Sequence, residues 1–218
     1  MDNRFDGGDA LNTALRGIAR LALVGAMAGT LAGCGINTIP TLDEQAEAEL
    51  NNLNSAYQRR ADLIPNLVRT VEAAGVQENT TLREVTEARS RATSIQLTPE
   101  VLADPQARAN FEAAQGQLTG ALSRLLVVSE NYPQLQTNQN FRDLQQQLES
   151  TENRINVQRR DYNESVRRLN TEMRTFPGSI WASTVHSGVE RREGFQAQAG
   201  AERAPTVEFN ATGAPPAR

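Results

Sequence analysis

Residues 138–175 read NQNFRDLQQQLESTENRINVQRRDYNESVRRLNTEMRT, a run without proline or glycine. It places Phe141, Leu144, Leu148, Ile155, Tyr162, Val166, Leu169 and Met173 at steps of three, four and seven, which keeps them on one face of a single long helix. Such a face needs partners, and the rest of the chain supplies them. Upstream, Leu42, Ala46, Leu50, Leu53, Tyr57, Ala61, Ile64, Leu67 and Val71 repeat the pattern up to Gly75. That helix is read to start at Thr41, with Glu44 three residues on in the capping-box spacing. Pro65 lies inside it and predicts a kink or break near Asp62 to Pro65, because proline donates no backbone bond and crowds the preceding turn. Two further helices are read at about Glu78 to Ser94, with Leu82, Val85, Ala88 and Ala92 inward, and at about Pro105 to Glu130, with Phe111, Ala114, Leu118 and Leu125 inward.

No segment alternates apolar and polar residues as a half-buried strand does. The expected fold is all-α: an antiparallel up-down-up-down four-helix bundle over residues 41–176, with a long kinked first helix and a long fourth helix. FPG at 176–178 ends the pattern. A short irregular extension, 177–209, is expected to pack on the bundle through Ile180 and Trp181, with Phe195, Val207 and Phe209 in short extended pieces or loose. Residues 210–218, NATGAPPAR, read as a disordered tail.

Composition excludes several classes of function. The chain has 218 residues, a net charge of −4 and no lysine, so nothing in its balance points to nucleic acid. One histidine, His186, and one cysteine, Cys34, leave no material for a cysteine or multi-histidine metal cluster or for an internal disulfide. No Gly-rich phosphate loop and no GxSxG stand in the sequence. No catalytic residue, metal or cofactor is assigned.

The lone cysteine is explained by what precedes it. Arg16 and Arg20 lead into an uncharged stretch from Leu21 to Gly33, the order of charged region, apolar region and small-residue cleavage site found in a secretory signal. That stretch is shorter than the roughly 20 apolar residues a membrane helix needs. LAGC at 31–34 resembles the lipobox of bacterial lipoproteins, in which the peptide is cut before the cysteine and its thiol is acylated. The reading is a lipoprotein signal peptide over 1–33, a lipidated Cys34 and a tether over 34–40. The alternative for Cys34 is a small buried hydrophobe behind a short membrane helix. Asp2, Asp6 and Asp9 make the leader longer and more acidic than signal peptides usually are.

Within the fourth helix the apolar face passes Thr151 and Gln158 or Arg159, so a polar layer is expected near Glu152, Asn153 and Arg159. It is read as a register-fixing network of hydrogen bonds and ion pairs, with a ligand or ion site as the alternative. Arg154, Arg159, Arg160, Arg167, Arg168 and Arg174, set against Glu149, Glu152, Asp161, Glu164 and Glu172, read as a solvated face with pairs at helical spacing. Asn138 and Asn140 sit at a helix start, where capping is expected.

Four stretches, RRADLIPNLVRTVE at 59–72, ENYPQLQTNQNFRDLQQQLESTENRI at 130–155, RRDYNESVRRLN at 159–170 and TFPG at 175–178, resemble the LemA family of bacterial membrane-associated proteins. The resemblance covers roughly residues 41–209. It implies an antiparallel four-helix bundle behind an amino-terminal membrane segment, no assigned catalysis, no agreed cofactor, and an envelope partner such as a TPM-domain protein or a membrane protease. The short segment ending in LAGC departs from the family's usual uncleaved anchor. The resulting expectation is a non-enzymatic scaffold or adaptor of the cell envelope, held to the membrane by its lipidated terminus and facing the periplasm or exterior. Candidate motif or docking residues are Asp62, Asn66, Glu130, Tyr132, Glu152, Asn153, Arg160, Asp161 and Asn163. The rivals are a small-ligand receptor or hydrolase using Glu130, Glu152 and Asp161, and a self-assembling homo-oligomer.

Overall fold

A computed structural model describes residues 35–76 and 78–196. The expectations for the leader 1–33, for Cys34, for Val207 and Phe209 and for the tail fall outside these residues. The described chain is all helical, with no strand among the described residues. Its elements are α1 (Thr38–Ala73), α2 (Asn79–Ser94), α3 (Pro99–Ala103), α4 (Pro105–Ser129), α5 (Pro133–Thr137), α6 (Gln139–Glu172) and α7 (Gly178–Ser183).

The helix ends follow from local chemistry. Thr98 and Asp104 accept from the first backbone N–H groups of α3 and α4, each ahead of a proline at the first helical position. The Asn138 side chain caps α6 by accepting from Phe141 N at 3.2 Å, as expected. Gly75 takes φ +77° just beyond α1, a left-handed conformation that costs glycine nothing. Gly178 lies so close to the Glu172 carbonyl that a Cβ has no room there, which is why FPG closes α6 with a glycine.

Two boundaries differ from the sequence reading. The first helix begins at Thr38, and Thr41 sits inside it with its hydroxyl bonded back to the Asn37 carbonyl at 2.7 Å, so no capping box forms with Glu44. The second difference is at Pro65, where no break falls and α1 continues to Ala73. Proline leaves the Ala61 carbonyl without its helical donor, and Arg89 of α2 fills the gap, its Nε donating to that oxygen at 2.7 Å. A neighbouring helix thus repairs what the proline removes.

The apolar faces meet in two clusters. One joins Ile64, Leu67 and Val71 of α1 to Val85, Leu118, Leu125, Phe141 and Leu148. The other joins Ala46, Leu50 and Leu53 of α1 to Phe111, Ile155, Tyr162, Val166 and Phe195. Early α1 therefore lies against late α6, and late α1 against early α6, so the two longest helices run antiparallel. Each fully buried leucine or isoleucine contributes about 1.5–3 kcal/mol. Between the clusters, at Arg60, the core changes character.

Candidate functional site

Arg60 is 2% exposed, at a position between the apolar steps of α1. Its Nη1 donates to Glu152 Oε2 of α6 at 2.5 Å and to Thr119 Oγ1 of α4 at 3.3 Å, and its Nη2 donates to Gln115 Oε1. Gln115 in turn donates to the Ala92 carbonyl of α2 at 3.1 Å. One guanidinium thereby ties all four long helices. Its Cζ stands 5.6 Å from the Tyr57 ring centroid, and Tyr57 packs edge-on to Phe111 at 5.2 Å. Burial pushes the Tyr57 hydroxyl up to about 12, against the opposing pull of Arg159 and Arg60.

This is the polar layer expected at Glu152, with corrected membership. Asn153 is exposed, because its position on α6 turns it away from the core. Arg159 lies 3.5 Å from Glu112 and stacks 4.6 Å over the Phe195 ring, outside the layer. Thr151 is buried but satisfies itself on the Gln147 carbonyl at 2.7 Å. The residue that organises the layer, Arg60, was not among the candidates. Its signal was present: an arginine lying beside Ala61 in an inward stripe.

The second constellation is a strap. After α7 the chain returns across α6, and its backbone is held by side chains of the RRDYN motif. Asn163 donates from Nδ2 to the Phe195 carbonyl at 3.1 Å and accepts the Phe195 N–H on Oδ1 at 2.8 Å. Tyr162 donates to the Glu193 carbonyl at 3.1 Å, and Asn170 to the Arg192 carbonyl at 2.8 Å. Gly194 passes so close to Asn163 Oδ1 that a Cβ would stand 2.8 Å from it. Arg192 then bridges to Asp43 at 2.6 Å and Glu47 at 3.3 Å on α1. Phe195, expected extended or loose, is buried edge-on to Tyr162. Ile180, expected to pack on the bundle, leaves 47% of its surface exposed.

The remaining candidates scatter. Asp62, which accepts from Gln58 at 2.8 Å, and Asn66, which accepts from Arg69 at 2.5 Å, are exposed on α1. Glu130 closes α4, and Tyr132 packs half-buried on the adjoining core. Arg160 and Asp161 are exposed on α6. Arg167 and Arg168 pair with Glu164, whose carboxyl they hold below its usual range by hydrogen bonding, as the solvated-face reading expects.

Asp62 and Asn66 do share one feature, a groove of about 930 Å³ over α1, the end of α2 and α4. Side-chain amides from Asn51, Asn54, Gln58, Gln96, Gln115 and Gln147 line it, beside Tyr57, Leu97 and Phe111. Asp62 is its one carboxylate; Glu130, Glu152 and Asp161 lie outside it. Among the described residues no three His, Cys, Asp or Glu side chains stand close enough to hold a metal ion, and no helix is long and apolar enough to cross a membrane.

The family model for LemA proteins matches residues 49–209, three quarters of the chain and all the helices just described except α1's first turns. The chain belongs to the LemA family. Among curated relatives, this LemA-family chain is 27% identical over 176 residues to magnetosome protein MamQ 2 of Paramagnetospirillum magneticum and 25% identical over 175 residues to magnetosome protein MamQ of Magnetospirillum gryphiswaldense. Each alignment covers 73% of this chain, which spans 64% of the length of either relative. The buried arginine layer and the clamped strap both lie within the LemA match.

Proposed function

We propose that this chain is a non-enzymatic docking protein of the bacterial cell envelope. In this reading it is an up-down-up-down four-helix bundle, tethered by a lipidated Cys34, that binds extended segments of other envelope proteins. The observation that carries it is the groove. Asn and Gln side chains both donate and accept, which matches the alternating N–H and C=O of a polypeptide backbone, and the apolar side chains between them suit alternate residues of a bound segment. The three carboxylates that the hydrolase reading would use, Glu130, Glu152 and Asp161, lie outside the groove. The relatives are named for the magnetosome, not for a reaction.

The test uses the full chain expressed in bacteria, with a photo-crosslinking residue at Gln58 in the groove or at the exposed Arg83 on α2. The expected result is a discrete adduct with another envelope protein from Gln58 only, in a membrane fraction that Cys34→Ala abolishes. Adducts from both positions alike, or from neither, would sink the docking reading. An adduct of twice the chain's mass would replace it with self-assembly.

A further inference from the structure

Three of the five large apolar side chains exposed among the described residues fall within ten residues of sequence around α7. Phe176, Ile180 and Val185 expose 81, 47 and 55% of their surface. They flank α7, beside half-buried Trp181, at the end of the molecule where α1 begins. Val127 lies at the opposite end, on α4, and Val157 midway along α6.

The chain enters the fold through this same patch. A Cβ at Gly35 would meet Pro177 at 4.0 Å, and His186 Nε2 lies 2.6 Å from the Ile36 carbonyl. Gly35 and Ile36 therefore lie against Pro177 and His186, the residues on either side of α7. Cys34 is the residue before Gly35 in sequence, and residues 21–33 carry no charge. The chemistry around the entry point agrees. Residues 35–42 and 173–189 contain no Asp or Glu, in a chain that has 26, and hold Arg174 and His186 as their only ionisable side chains. Aromatic and aliphatic tips with hydroxyl neighbours suit the headgroup boundary of a bilayer; the Glu172 carboxylate lies beside Gly178, at the start of α7.

We infer that the Phe176, Ile180 and Val185 tip is a second membrane contact, which seats this end of the bundle in the lipid interface beside the tethered terminus. A single flexible tether leaves the domain free to tilt; a tip contact around it fixes the end that faces lipid and turns the groove along α1 away from the surface. The inference rests on the anchoring at Cys34 proposed above.

Trp181 is the chain's one tryptophan and supplies the probe. The full chain, purified with its native terminus, is reconstituted into phosphatidylcholine vesicles carrying bromine at shallow or deep acyl positions. The expected result is quenching of Trp181 emission by the shallow bromines, lost in Phe176→Ser/Ile180→Ser and in Ile180→Ser/Val185→Ser chains that keep their helical circular dichroism and still float with the vesicles. Flotation without quenching would overturn the tip contact and leave the anchor standing. Quenching that persists in both variants would also overturn it. A chain that fails to float removes the anchor and the tip contact together.

Discussion

Arg60 interrupts an apolar core and is nonetheless held by partners on three other helices, directly or through Gln115. A buried arginine contributes little net stability once desolvation is counted, but removing it strands the groups that face it. Arg60→Ala should therefore lower unfolding free energy by about 3 kcal/mol. Glu152→Ala should cost about as much, because it leaves the Arg60 guanidinium, 3% exposed, charged and without its carboxylate. Urea unfolding followed by helical circular dichroism measures both, and a cost under about 1 kcal/mol for either would contradict the view that the arginine organises the layer. Glu152 was legible in the sequence because it sits on the inward edge of a clear stripe. Asn153 was mistaken for a member because one residue along a helix turns a side chain by about 100°, far enough to reach solvent.

At the scale of elements, Pro65 and Arg89 form a compensating pair across α1 and α2. If Arg89 serves the carbonyl that proline orphans, its worth should depend on the proline. Arg89→Ala should cost about 1.5–2 kcal/mol in the parent chain, as expected for a charged donor to a part-buried carbonyl. In a Pro65→Ala background, where residue 65 regains its N–H, the same change should cost about 1 kcal/mol less. Additive costs in a double-mutant cycle would show that the two residues act separately. Helix existence and approximate ends were legible from periodicity and from Gly75, Pro99, Pro105 and FPG. The continuity of α1 was not, since the repair comes from a residue distant in sequence.

At the scale of the whole molecule, the strap leans on buried Tyr162 and the polar layer on part-buried Tyr57, and these give the fold a defined alkaline limit. Burial pushes Tyr57 and Tyr162 from the usual 10.0 up to about 12. The folded chain thus keeps protons that the unfolded chain releases. Stability is full below about pH 10 and falls as pH rises from about 10 to 12, by about 2–3 kcal/mol for each tyrosine at the upper end. Unfolding free energy measured across that window should decline in the parent and flatten stepwise in Tyr57→Phe and Tyr57→Phe/Tyr162→Phe; an unchanged slope would refute the assignment. The sequence by itself determined the all-helical class, the four long helices, the family and the cap at Asn138, because these rest on spacing between near neighbours along one chain. Only the tertiary structure decided that Arg60 centres the layer, that Arg89 serves Pro65, that Asn163 clamps Phe195 and that Pro177 and His186 lie against the chain's entry at Gly35 and Ile36. Each of those joins residues far apart in the sequence, and a hydrogen bond across such a distance is set by how the faces pack, which no local period encodes.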